Sequence, residues 1–149
     1  LYFYERVLAP ELEVSGVKVH SFTVVEDFEA GRWDYELVLM QAQKGRRFLN
    51  GRLEISFSVS DQQELKRISL KELSDKVPSG FKFRYFQTIK GTFKLPANIT
   101  VDEVIIDLKV KGDRWYKAQQ LEQRYDWRAL IEKDAADFTE FDKPVPAGN

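Results

Sequence analysis

From Leu49 to Val59 the chain alternates without a break: Leu49, Gly51, Leu53, Ile55, Phe57 and Val59 are interleaved with Asn50, Arg52, Glu54, Ser56 and Ser58. A period of two is the period of a strand, and apolar–polar alternation marks a strand with one buried face and one wet face, the antiparallel case. The same period runs through Trp33, Tyr35, Leu37, Leu39 and Gln41, through Phe81, Phe83, Tyr85, Gln87 and Ile89, and through Val104, Ile106, Leu108 and Val110. Nearer the start, Val17, Val19, Thr23 and Val25 alternate with Lys18, His20, Phe22 and Val24. Residues 64–70 and 115–125 read as weaker strands. Turn formers separate the runs, at Glu29-Ala30-Gly31, Lys44-Gly45, Ser60-Asp61, Pro78-Ser79-Gly80, Pro96-Ala97-Asn98 and Lys111-Gly112-Asp113. No helical pattern long enough for a crossover intervenes. The expectation is an all-β fold: an antiparallel β-sandwich of about seven strands with short N- and C-terminal helical segments. Its core is expected to hold Leu37, Leu39, Leu53, Ile55, Phe57, Phe83, Tyr85, Ile106 and Leu108.

At 149 residues the chain has the length of one domain with a core of its own. Residues 1–10 read as the end of an upstream helix or coiled coil, because Leu1, Tyr4 and Leu8 have a/d-like spacing before Pro10. A short capping helix or strand is the open alternative. The sandwich then spans 11–127. Residues 128–149 read as a short helix, begun by Asp126 as N-cap, followed by an acidic tail containing proline. In that tail Asp137-Phe138-Thr139-Glu140-Phe141-Asp142 alternates acids with aromatics, a pattern suited to an added strand on a basic groove or simply to a frayed end. The opening Leu implies a fragment whose membrane anchor, if it has one, lies outside these residues.

With no Cys and one His, the common zinc, iron–sulfur and thiol sites and most histidine-based catalysis are excluded. His20, in a strand, reads as a plain surface or half-buried side chain. The glycines stand singly, so there is no phosphate loop. Net charge is -1, with 23 Lys plus Arg against 24 Asp plus Glu, which argues against nucleic acid as a partner. The carboxylates read as solvated faces. These observations point to no enzyme, no cofactor and no metal.

The cations are nevertheless unevenly placed. Lys44, Arg46, Arg47 and Arg52 surround one hairpin, and Lys82, Arg84, Lys90 and Lys94 mark another strand. If the sheet joins them, Lys44, Arg46, Arg47, Lys82 and Arg84 form a face that steers an acidic partner, with Phe86 the one aromatic on its basic side. The competing explanation is a solvated face that guards a sheet edge, with Phe86 packed beneath a loop. A glycan or peptidoglycan platform built on Trp33, Phe86 or Trp115 is the second functional expectation.

Several blocks together, Phe3-Tyr4 with Pro10-Glu11, Leu37-Val38-Leu39-Met40-Gln41-Ala42, Phe83-Arg84-Tyr85-Phe86-Gln87, Gly91-Thr92-Phe93-Lys94-Leu95-Pro96 and Tyr125-Asp126-Trp127, resemble an uncharacterised proteobacterial family. The resemblance implies a membrane-anchored inner-membrane protein with a coiled coil and a C-terminal extracytoplasmic β domain, often encoded near bactofilin genes. It further implies a periplasmic, non-catalytic interaction module with an envelope protein partner in a cell-shape system, and homo-oligomers formed through the missing coiled coil. No catalytic residue comes with it. The family's Gly-Phe after Leu-Pro is replaced here by Ala97-Asn98-Ile99, which alters a turn.

Overall fold

A computed structural model of the chain describes residues 16–41, 47–114 and 117–132 in full and residues 5–7 by their backbone. Among them are nine strands: β1 (Glu5–Val7), β2 (Val17–Glu26), β3 (Arg32–Gln41), β4 (Leu49–Asp61), β5 (Glu64–Ser69), β6 (Gly80–Phe83), β7 (Phe86–Lys94), β8 (Thr100–Val110) and β9 (Gln119–Asp126). They form two antiparallel sheets. The larger runs β1-β9-β8-β4-β5, with β6 also paired to β4, and the smaller runs β2-β3-β7. The fold is an all-β sandwich.

The longest alternation in the sequence makes the longest strand, and its length organises the larger sheet. One edge of β4 pairs with β8 along most of its course, while the other is shared. Leu49–Arg52 pair with β6 and Ser56–Asp61 pair with β5. Gly51 is required where β6 and β8 flank it, since a Cβ there would collide with the Lys109 carbonyl and the Phe81 ring. The inner phase of β4 is buried as the alternation requires, through Leu53, Ile55, Phe57 and Val59. Aromatic rings join the two sheets. Phe57 meets Phe93 of β7 at 5.0 Å between centroids, and Phe22 of β2 meets Tyr125 of β9 at 5.6 Å.

Three expectations are corrected. In β2 the apolar phase does not run on to Thr23 and Val25: the register shifts between Val19 and Ser21, and a bulge there carries Phe22 and Val24 into the core while leaving Val25 exposed. Residues Glu5–Val7, expected at the end of a helix, form a strand whose backbone pairs with Gln123–Tyr125 of β9. The open alternative of a capping strand is the one realised over those residues. Tyr85, expected in the core, lies on the surface, because the run from Phe81 to Ile89 is not one strand: it bends at Arg84-Tyr85 and passes from the larger sheet to the smaller.

At the other end of the chain, residues 127–132 form a helix, α1. Asp126 caps it, accepting from the Ala129 N–H at 3.0 Å, as the sequence predicts. Leu130 is buried and Trp127 stacks edge-on against Trp33, 4.8 Å between centroids, so α1 closes one end of the sandwich. Phe138 and the acidic tail lie outside the described residues. No helix among the described residues is long and apolar enough to cross a membrane.

Candidate functional site

The bend at Arg84-Tyr85 has a chemical consequence. Strand alternation would bury one of two successive aromatics, but the bend turns both outward: Tyr85 is 63% exposed and Phe86 66%. Phe48, just before β4, is 49% exposed. The Arg84 guanidinium stands 4.7 Å and the Lys82 ammonium 5.6 Å from the centroid of the Phe48 ring, both within cation–π range. Rings and cations thus share the corner where the chain changes sheet.

Gln41, the last residue of β3, holds this corner together. Its Nε2 donates to the Arg84 carbonyl at 2.7 Å and to the Arg47 carbonyl at 3.3 Å, and its backbone N–H donates to the Tyr85 carbonyl at 3.1 Å. The start of β4 and the β6–β7 bend are thereby tied to one side chain. The Lys82 N–H donates to Gln87 Oε1 at 2.9 Å, bracing the bend from its other side. A polar residue on the inward phase of β3 is the sequence signal for this clamp, and it was legible only as the end of a strand.

The predicted contact residues are partly united. Lys82 and Arg84 come together over the Phe48 ring, and Phe86 follows them just after the bend, open to solvent rather than packed beneath a loop. Arg47 lies at the same corner but is ion-paired with Asp113. Lys44 and Arg46 fall outside the described residues, as does Trp115. Neither Lys82 nor Arg84 has an ion-pair partner among the described residues. Lys90 and Lys94 do not join the corner: they lie further along β7, paired with Glu36 at 3.5 Å and Glu29 at 2.8 Å. The sequence reading missed Phe48, Gln41 and Tyr85 as members of the site.

The corner offers apolar rings and positive charge, and among the described residues it brings together no nucleophile with a base. No group of three or more potential metal ligands occurs among the described residues. His20 is exposed in β2. Trp33 is half-buried against Trp127, opposite Phe93 across the β3–β7 ladder, and so does not present the open face a sugar platform needs. Clefts of about 1180, 660 and 410 Å3 open elsewhere on the molecule, none of them lined by Phe48, Tyr85 or Phe86.

A family model, DUF6776, a family of unknown function, matches residues 1–106. The chain belongs to that family. The matched stretch, residues 1–106, runs into β8 and so contains β1 to β7 and the whole β6–β7 corner. In this DUF6776 chain α1 and β9, which close the sandwich, lie beyond the match. No curated protein sequence matches the chain.

Proposed function

We propose that this domain is a non-catalytic protein-interaction module and that the corner formed by Phe48, Lys82, Arg84, Tyr85 and Phe86 is its contact surface. The observation that carries the reading is the Phe48 ring beneath two cations that have no ion-pair partner among the described residues, next to a buttressed bend that leaves Tyr85 and Phe86 exposed. Aromatic and arginine side chains on a rigid support are the residue types that dominate binding energy at protein interfaces. Positive charge beside them selects for an acidic partner and speeds its encounter. The likeness noted in the sequence supports the wider setting: a periplasmic domain carried on a coiled coil from the inner membrane, its partner an envelope protein of a bactofilin-linked cell-shape system.

The test is crosslinking and capture in cells with the full-length protein, comparing the parent with Lys82→Glu/Arg84→Glu/Phe86→Ser. The triple variant is expected to lose the partner while melting like the parent, because exposed charges and rings contribute little to stability. Equal capture by the variant would reject this surface. Tight binding of purified glycan strands with no protein partner captured would replace the reading with the glycan one.

A further inference from the structure

Among the described residues β7 is, with β2, one of the two open edges of the smaller sheet. Its partner on one side is β3, and no strand among the described residues pairs with its other side. Two backbone hydrogen bonds establish which groups face outward. Gln41 N–H donates to the Tyr85 carbonyl across the β3 side, whereas Lys94 N–H turns away from β3 and donates to the Leu73 carbonyl at 3.0 Å. Strand alternation between these two points directs the N–H and C=O of Thr88, Lys90 and Thr92 away from β3. Among the described residues no backbone group pairs with them.

Beside this edge lies the cleft of about 1180 Å3, walled by Lys90, Gly91, Thr92 and Phe93 on one side and by the segment from Lys71 to Lys76 on the other. That segment already plays an incoming strand's part for one bond, at Leu73, and then departs. The cleft is therefore open where the ladder would continue. At its other end the edge begins at Phe86, in the aromatic corner.

We infer that β7 accepts an extended segment of an acidic partner protein as an added strand, laid along the Phe86–Lys94 edge from the cleft to the aromatic corner. The inference rests on the interaction reading above and adds the mode of recognition: main-chain bonds supply affinity and alternate side chains supply selectivity. Charge chooses the occupant. Around the cleft stand Arg32, Lys71, Lys76, Lys90 and Lys94 with the acids Glu29, Glu72 and Asp75. Arg32, Lys90 and Lys94 are already ion-paired, with Asp27, Glu36 and Glu29, so the positive charge without an ion-pair partner among the described residues is that of Lys71 and Lys76 here and of Lys82 and Arg84 at the corner. Of those acids, Glu29 is bound to Lys94 and Glu72 accepts from the Ser69 N–H. A second copy of β7 would set lysine against lysine when centred on Lys90, which like-charge repulsion disfavours.

The probe is a ten-residue peptide alternating glutamate with valine, labelled for fluorescence anisotropy and titrated with the parent protein. Thr88→Pro and Thr92→Pro each remove an outward N–H without removing a bond to β3, so the sheet is retained. Each is expected to weaken binding at least tenfold, and the lysine–valine peptide is expected to bind at least tenfold more weakly than the glutamate peptide. As a control that leaves the protein untouched, methylating alternate peptide nitrogens is expected to abolish binding in one register and spare it in the other. No binding by the parent, equal binding by the proline variants, or no difference between the methylated registers would overturn the inference. So would a dimer of the parent that Thr92→Pro converts to monomer, since the occupant would then be a second copy. In the cellular assay, capture lost by the triple corner variant but kept by both proline variants leaves the interaction surface standing and rejects strand addition. The opposite pattern rejects the corner and leaves the edge.

Discussion

Tyr35 and Tyr85 occupy the same phase of two alternating runs, yet one is buried and the other exposed. Tyr35 stands opposite Gly91 across the β3–β7 ladder, and its ring fills the place of the missing side chain: a Cβ on Gly91 would lie 2.5 Å from the tyrosine oxygen. The ring also lies 6.3 Å from Phe22 and 6.1 Å from Phe93, between centroids. Its hydroxyl has no hydrogen-bond partner among the described residues, and burial pushes its pKa above 10.0, so it stays protonated. A buried hydroxyl without a partner costs free energy that a hydrogen atom in its place does not. Tyr35→Phe is therefore expected to raise unfolding stability by about 1 kcal/mol, measured by urea denaturation. A loss of stability would show that the hydroxyl does make a bond. Alternation placed Tyr35 correctly because its neighbours continue one strand, and misplaced Tyr85 because the strand ends two residues earlier.

The outer face of the larger sheet carries an arrangement that no single strand displays. Register sets Glu54 of β4 beside Asp107 of β8, and Asp107 beside Glu122 of β9, so three carboxylates stand in a row. Arg67 of β5 reaches over to donate to Asp107 at 2.9 Å and to the buried Ser56 hydroxyl at 3.0 Å. Burial first, then Glu122, raises the Asp107 carboxyl above 3.8 despite the opposing pull of Arg67. The native state therefore holds this proton more tightly than the unfolded chain. The group's contribution to stability is largest in acid and is lost as pH rises from 3.8 through the raised native value. Asp107→Asn keeps an oxygen for Arg67 and cannot ionise. It is expected to melt higher than the parent at about pH 7, with the advantage vanishing near about pH 3. A lower melting temperature at neutral pH would mean that the Arg67 ion pair outweighs the repulsion. Each strand was legible as a strand, but the row arises only from register, which the sequence does not contain in any one segment.

Across the whole molecule the two sheets depend on a small number of large side chains. Phe57 is fully buried on the larger sheet and meets Phe93 of the smaller, which in turn lies 6.3 Å from Trp127 of α1. Phe57→Ala would empty the junction of three elements and is expected to cost about 3–5 kcal/mol, read as a cooperative loss across both sheets in thermal unfolding. If it melted like the parent, the inner phase assigned to β4 would be wrong.

The alternation of apolar and polar residues was sufficient to determine an antiparallel all-β fold, most of its core and the helix that follows Asp126. Those properties are local: they depend on the period within one strand or on the cap of one helix. The tertiary structure alone decided where a strand bends or bulges, as at Arg84-Tyr85 and between Val19 and Ser21, since packing between sheets selects which residue leaves the ladder. It also decided that Lys82 and Arg84 gather on Phe48, that Arg47 pairs with Asp113 and that Lys90 and Lys94 are held by Glu36 and Glu29. Charge in a sequence has sign but no neighbours beyond its own strand, and neighbours across a sheet determine whether a cation is available to a partner.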